Sequence, residues 1–388
     1  MSRPQATLVV TTIFDPVLLE DYCENFRCHG HLADVKVIVI PDRKTPEAAY
    51  QRCADLARRG MRIECPPLEE QERYLIRLGL EPAVIPHNSD NRRNVGFLMA
   101  YESDCDFVMS IDDDNYCREG EDFFAEHAVV CDDESRQCVV ESSTGFFNIC
   151  SLLKQEKPGP VHPRGFPYRY RHSDEAPAMA ERPVAVHFNA GLWLIDPDID
   201  AITWLAIRPR ITGFKGTSLV LGTKTWSPVN TQNTGLRREA LPSYYFVRMG
   251  YPMAGLPIDR YGDIFSGYFA QACMKQLGGY CRVGTPVADH KRNSHNYMRD
   301  ATNEWGCIQT LEDLLPWLTG ARLEGASYIE AYRSLSHALQ DAVEAQRGPA
   351  WSDVTRGYFH QMAYHMRLWL KACERIDGGR ALGAGSIR

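Results

Sequence analysis

The sequence predicts an α/β protein with a mostly parallel central sheet. Three observations carry this. The segments Ala6 to Thr12, Val35 to Ile40 and Phe107 to Ile111 are near-continuous runs of apolar residues, as strands buried on both faces are. Stretches with helical apolar spacing separate them. Strand and helix patterns alternate through the first third of the chain, which is how a parallel sheet covered by helices is written in sequence.

In chain order, Ala6 to Thr12 is the first strand, Val17 to Phe26 an amphipathic helix and Val35 to Ile40 the second strand, closed by Pro41 and Asp42. Pro46 suits the first turn of a helix running to Arg59. Further helices are expected over Glu69 to Leu78 and Asn91 to Glu102, the latter just before the strand that ends at Ile111. Residues 142–181, rich in Pro, Gly, Arg and His, are expected to form a long functional loop, with strand resuming over Val184 to Ile195. Asp263 to Leu277 has helical spacing, Tyr280 to Val283 that of a short strand, and Leu311 to Leu318, Ala326 to Ala345 and Asp353 to Ile376 are helical. This divides the chain into a main domain over 1–318, a helical C-terminal extension over 319–377, and a Gly/Ala-rich tail at 378–388 expected to be disordered.

Lys and Arg number 43 against 50 Asp and Glu, a net charge of -7, with no long basic tract. That argues against nucleic acid, whose backbone needs a concentrated positive face. No apolar stretch approaches the length of a membrane span. The N-terminus shows no signal-peptide core, and the thirteen cysteines lack zinc-site spacing, so a reduced, cytoplasmic protein is expected. Self-association into a homo-oligomer is left open.

The chemistry points to one end of the sheet. Asp112, Asp113 and Asp114 follow a buried strand directly. Carboxylates this close raise one another's pKa, and a hard divalent cation, Mg²⁺ or Mn²⁺, relieves the repulsion and commonly arrives with phosphates. Ligands of open parallel sheets bind beyond the carboxyl ends of the strands. Thr11 and Thr12 lie there after the first strand and Asp42 after the second, while Arg93 opens the helix before the triplet. Asp42 suits the N–H groups of uracil or guanine, and Arg93, at a positive helix end, suits a diphosphate. Asp112 would reach a ribose hydroxyl or the metal and its water, and Asp114 the metal itself.

That order of motifs resembles the nucleotide-binding half of the GT-A glycosyltransferases. The segments Ile111 to Asp114, Arg164 to Pro167, Gly191 to Leu194 with Pro197-Asp198, Pro257 to Asp263 and His290 to Ser294 resemble successive motifs of the reversibly glycosylated polypeptides, a family that includes plant UDP-arabinopyranose mutases. The resemblance implies a GT-A fold with a helical C-terminal extension. It places Arg164 where the family carries an arginine that can be glycosylated, Asp263 at the second aspartate of an acidic pair whose first member is Gly262 here, and His290 as a ligand completing the metal or diphosphate site. Asp263 would orient the acceptor or take its proton. Trp193, Trp226, Asn233, Tyr261 and Tyr268 are candidates for an acceptor pocket, and Trp305 with His295 to Tyr297 for a closing loop.

The leading expectation is a metal-dependent glycosyltransferase that moves a sugar from a UDP- or GDP-sugar to a small-molecule acceptor. One version places it in bacterial antibiotic biosynthesis, with a thiol acceptor as in lincosamide assembly. A pyranose/furanose mutase is the second reading, weakened by Gly262 and by the basic residues beside Asp42. A non-catalytic interaction module is the third, and the intact aspartate triplet argues against it.

Overall fold

Valine- and isoleucine-rich runs form the strands that organise the computed structural model, which describes residues 3–253 and 255–385. β1 (Ala6–Thr12) pairs in parallel with β2 (Val35–Pro41) on one side and β4 (Phe107–Asp112) on the other, and β3 (Arg62–Glu64) extends the edge beyond β2. Leu8, Val9 and Val10 are fully buried, and each such aliphatic side chain contributes about 1.5–3 kcal/mol by leaving water. The register matters for function: Thr11 lies beside Ile40 and Asp112, and Thr12 beside Pro41. The carboxyl ends of three strands are therefore level.

Helices α1 (Leu19–His29), α2 (Glu47–Arg58), α3 (Leu68–Arg77) and α4 (Arg93–Glu102) fall close to where their apolar spacing puts them. Gly96 lets α4 lie almost on the sheet, since a Cβ there would stand 2.5 Å from Val9 Cγ1 and 3.0 Å from Ile40 Cγ1. Arg93, at the helix start, is thereby delivered to the strand ends.

The parallel character belongs to this first half. Beyond β4 the thirteen-stranded sheet is mixed: Asn233–Arg237 runs antiparallel to β4 and to Val186–Ile195, while Tyr280–His290 is parallel to Val186–Ile195 and antiparallel to Leu219–Leu221. The strand expected to stop at Val283 continues to His290, passing Gly284 and Pro286 through a shift in register. The loop expected over 142–181 ends instead in the edge strand Ala178–Val184, paired with Ser135–Glu141.

The C-terminal helices are Tyr297–Gly320, Tyr328–Ala345 and Asp353–Gly385. Their buried residues Leu335, Phe359 and Trp369 join the same apolar cluster as Val9 and Ile40, and Trp369 Nε1 donates to the Pro242 carbonyl at 2.9 Å. The tail expected to be disordered from 378 is helical as far as Gly385, with Arg380 donating to the Tyr101 carbonyl and the Asp104 carboxylate, both at 3.3 Å. No helix among the described residues is long and apolar enough to cross a membrane.

Candidate nucleotide-sugar site

The level strand ends enclose a pocket of about 330 Å³, lined by Thr11, Asp42, Arg93 and the triplet Asp112 to Asp114. Thr12 is in it too, with its hydroxyl donating to Asp113 at 2.6 Å. Seven residues picked out along 104 positions of sequence thus meet in one place. Ile13 and Phe14, 39% and 49% exposed, form an apolar lip, a surface on which a heterocycle could stack. Lys44, Arg92 and the segment Asn88 to Asp90 complete the wall.

The electrostatics of the triplet are set by burial, by its mutual repulsion and by Arg93 and His290 beside it. Arg93 donates to Ser110 Oγ and the Ile111 carbonyl, both at 2.8 Å, and to the Asp112 carboxylate. Loss of hydration still pushes Asp112 up to about 7, and Asp114, Asp263 and Asp113 add to this against the pull of Arg93. Burial and Asp114 raise Asp113 as well, against the hydrogen bond from Thr12.

His290, at the end of the long strand, is brought level with Asn115 by antiparallel pairing. Its Nδ1 donates to the Asp196 carbonyl at 2.6 Å, and its Nε2 faces Asp114 Oδ2 at 3.4 Å. A ring whose one N–H is fixed by a carbonyl behind it, with the other nitrogen left to turn to a cation, is how metal-binding histidines are held. Among the described residues no three His, Cys, Asp or Glu side chains gather into a complete metal cage. Asp114 and His290 could supply two ligands, a number that fits a cation keeping several waters and taking phosphate oxygens. Asp112 is already paired with Arg93.

Several expected roles change. Asp42 is buried, and both its oxygens are occupied: Oδ1 by the Arg43 N–H at 2.7 Å and His87 Nδ1 at 3.1 Å, Oδ2 by the N–H groups of Asn88 at 2.5 Å and Ser89 at 3.4 Å. In this state it shapes the pocket wall instead of offering a free carboxylate to a base. Trp193, Trp226, Asn233, Tyr261 and Tyr268 are all at most 5% exposed, so they do not form an open acceptor pocket. Asn233 bonds His127 at 3.0 Å and the Pro286 carbonyl at 2.9 Å, Lys275 lies 5.1 Å from the Trp226 ring, and Tyr268 donates to the Gly165 carbonyl at 3.1 Å. Trp193 lines a small void beside Arg164, and the Arg164 guanidinium lies 5.7 Å from the Tyr261 ring. The expected closing loop is the start of a helix, with Asn296 capping Tyr297–Gly320 and Trp305 on its exposed side.

Arg164 and Asp263, candidates for catalysis, form a buried charge cluster with Asp198. Arg164 spans Asp198 at 2.9 and 3.1 Å and Asp263 at 3.1 and 2.6 Å, and also donates to the Arg260 carbonyl. All five N–H donors of the guanidinium are engaged. Burial alone would raise Asp198, but Arg164 holds it down at about 2. The Asp263 carboxylate also accepts the Ile264 N–H at 2.9 Å, capping its own helix. Sequence reasoning missed Asp198 as the third member, although Pro197-Asp198 sits within one of the motifs.

Residues 70–378 match the family model described as reversibly glycosylated polypeptide. The probable UDP-arabinopyranose mutase 4 of Arabidopsis thaliana is 25% identical over 304 residues, covering 77% of this chain and 75% of the relative. UDP-arabinopyranose mutase 1 of Oryza sativa subsp. japonica is 24% identical over 309 residues, covering 78% and 76%. Among solved structures, the Pyrobaculum calidifontis mannosyltransferase PcManGT, in complex with GDP-Man and Mn²⁺, covers 98% of this chain and 76% of its own at 12% identity and a TM-score of 0.38. S. aureus TarS with UDP-GlcNAc covers 98% and 92% at 12% identity and a TM-score of 0.38. Likenesses this distant carry no argument about activity.

Proposed function

Because the chain belongs to the reversibly glycosylated polypeptide family, we propose that it is a metal-dependent enzyme that takes the sugar of a nucleoside diphosphate sugar, with UDP or GDP as carrier, and transfers it to a small-molecule acceptor. The observation that carries this is the convergence of Arg93, the aspartate triplet and His290 on the level ends of β1, β2 and β4. The nucleoside would lie against Ile13 and Phe14, within the wall that Asp42 holds in shape. Asp114 and His290 would hold Mg²⁺ or Mn²⁺, whose charge offsets that developing on the departing diphosphate. Arg93 and Lys44 bring fixed positive charge to the same phosphates, and a preorganised group of this kind typically lowers a barrier by roughly 3–4 kcal/mol. The Arg164–Asp198–Asp263 cluster acts as a rigid support behind the sugar. A thiol acceptor in antibiotic assembly is the finer version of this reading and rests on composition alone.

The relatives' names favour a second reading, a mutase that reopens and recloses the sugar ring on the same nucleotide. One experiment addresses both. The protein is incubated with UDP- and GDP-sugars with and without Mn²⁺, and the products are separated without any acceptor present. Metal-dependent release of free UDP or GDP supports transfer chemistry, and a nucleotide sugar with a changed ring supports the mutase. No metal-dependent change in any donor, together with no nucleotide-induced rise in melting temperature, would end both readings.

A further inference from the structure

A second cavity of about 750 Å³ lies on the other side of the segment Asn88 to Asp90, which also walls the nucleotide pocket. Pro86 and Met249 are the only apolar side chains among the residues lining it. Pockets for apolar or aromatic ligands are lined mainly by hydrophobic and aromatic side chains, and this one is not. The backbone marks the place as well. Among the described residues only three other than glycine have positive φ: Asn88 at 54°, Ile195 at 70° and Arg260 at 64°. Asn88 and Arg260 both line the cavity, and Ile195 directly precedes Asp196, whose carbonyl orients His290. Asparagine tolerates this conformation, whereas arginine and isoleucine adopt it at a cost, and such strain collects at ligand sites.

Arg260 is held there from several sides. Its carbonyl accepts from Arg164, its N–H donates to Asp259 at 2.8 Å, and its guanidinium meets Glu304 at 3.0 Å and Asp300 at 3.4 Å. The carboxylates of Asp263 and Asp42 are committed, as described above. Asp90 is different: it faces both cavities, and among the described residues its side-chain partner is the Ser89 hydroxyl at 3.4 Å.

We propose that this cavity is the acceptor site, that it takes a hydroxylated acceptor of the sugar or polyol class, and that Asp90 receives the acceptor's proton. The inference rests on the nucleotide-sugar reading above. In the step, the acceptor oxygen bonds the anomeric carbon as the bond from that carbon to the diphosphate oxygen breaks. The electron pair of that bond leaves on the diphosphate, and the hydroxyl proton passes to Asp90.

The test uses the full chain with Mn²⁺ and the UDP- or GDP-sugar that the wild type binds, offered free monosaccharides, glycerol and an aromatic alcohol. Nucleotide affinity, donor hydrolysis and transfer are read separately. Transfer should go to sugars or polyols. Asn303→Trp, which fills the cavity, should abolish transfer while nucleotide affinity and hydrolysis persist, and Ser294→Trp serves as a second plug if the first variant misfolds. Asp90→Asn should lower kcat for transfer by about 100-fold, the range of general-base removal, and a variant that transfers at the wild-type rate would remove Asp90 from the step. Transfer that survives both plugs, transfer to the aromatic alcohol alone, or ring isomerisation indifferent to any acceptor would overturn the proposal while leaving nucleotide binding intact. A wild type that binds no nucleotide would instead remove the reading beneath it.

Discussion

His290 and Asp114 face each other at 3.4 Å, with the far nitrogen of the imidazole donating to the Asp196 carbonyl. Burial alone would lower the histidine pKa, but the Asp114 hydrogen bond and charge raise it above its ordinary 6.5. Burial would likewise raise Asp114, and His290 with Arg292 reverses this and holds it low. His290 and Asp114 therefore form an ion pair at the place proposed for the cation.

This gives a pH prediction of definite sign. A raised histidine pKa contributes stability that is complete below about 6.5 and is lost as pH rises through the folded value. Metal binding requires the unprotonated ring, so Mn²⁺ affinity should climb over the same interval in which metal-free stability declines. Calorimetric Mn²⁺ titrations at several pH values read the first quantity and denaturant melts the second. In His290→Ala both trends should vanish, and a persistent trend in affinity would move the metal away from this pair.

The Arg164 cluster should behave as a structural centre. Removing one partner of a buried ion pair leaves charge uncompensated, which costs about 3–5 kcal/mol, and Arg164→Ala strands both Asp198 and Asp263. Arg164→Lys keeps the charge but not the two-sided fork and should fall between alanine and wild type in denaturant midpoint. Because Arg164 holds Asp198 at about 2, its share of stability is present above the ordinary aspartate value near 3.9 and disappears as pH falls toward 2. Asp198→Asn should flatten that acid limb, and an unchanged acid melt would contradict the assignment.

What was legible in the sequence was the part written locally. The strands of the first half carry their Val and Ile runs in one piece, and the aspartate triplet ends one of them, so the pocket could be assembled from strand ends alone. The long-range part was not legible. Asp198 and Asp263 lie 34 and 99 positions from Arg164, and no periodicity links them. Asn233 looked like a ligand-binding polar residue because its partners, His127 on the helix Phe123–Ala128 and the carbonyls of Leu192 and Pro286 on two strands, are far along the chain and apolar patterning does not link them to it. The helix over Tyr297–Gly320 did have a readable start in Asn296, a favoured capping residue, but its first turns carry so many polar residues that they resemble a loop.

Gly96 couples fold to site. Gly96→Ala would place a methyl group 2.5 Å from Val9 Cγ1, so α4 must lift from the sheet at about 1–3 kcal/mol, the usual cost of overpacking. Lifting the helix withdraws Arg93 from Asp112. Nucleotide diphosphate affinity should therefore fall further than that of the free nucleoside. Equal losses for the two ligands would mean that the helix start does not serve the phosphates.

Asn233→Leu separates core from pocket. The change leaves the His127 ring nitrogen and the Pro286 carbonyl unpaired, at about 1–3 kcal/mol for a buried group, and nucleotide affinity should not move. His127 itself is pushed down to about 3, first by burial, with the Asn233 bond opposing and Arg282 assisting. The unfolded chain takes up that proton below about 6.5, so wild-type stability should fall with pH from there toward 3. His127→Phe should remove this component of the stability–pH curve, and an unaltered slope would assign it to other groups.

Asp42 offers the sharpest choice between reading a base and building a wall. Its two oxygens accept from three backbone N–H groups and from His87. An amide in its place presents two further donors to a ring of donors, so Asp42→Asn should loosen residues 87–90 without emptying the space that a base would occupy. A wall defect weakens every nucleotide in proportion, whereas a lost base contact weakens one base more than another. UDP and GDP affinities measured on wild type and Asp42→Asn should therefore fall together, with their ratio unchanged. A shift in that ratio would mean that the carboxylate exchanges its backbone partners for the base when nucleotide enters, restoring to Asp42 the role its position after β2 first suggested.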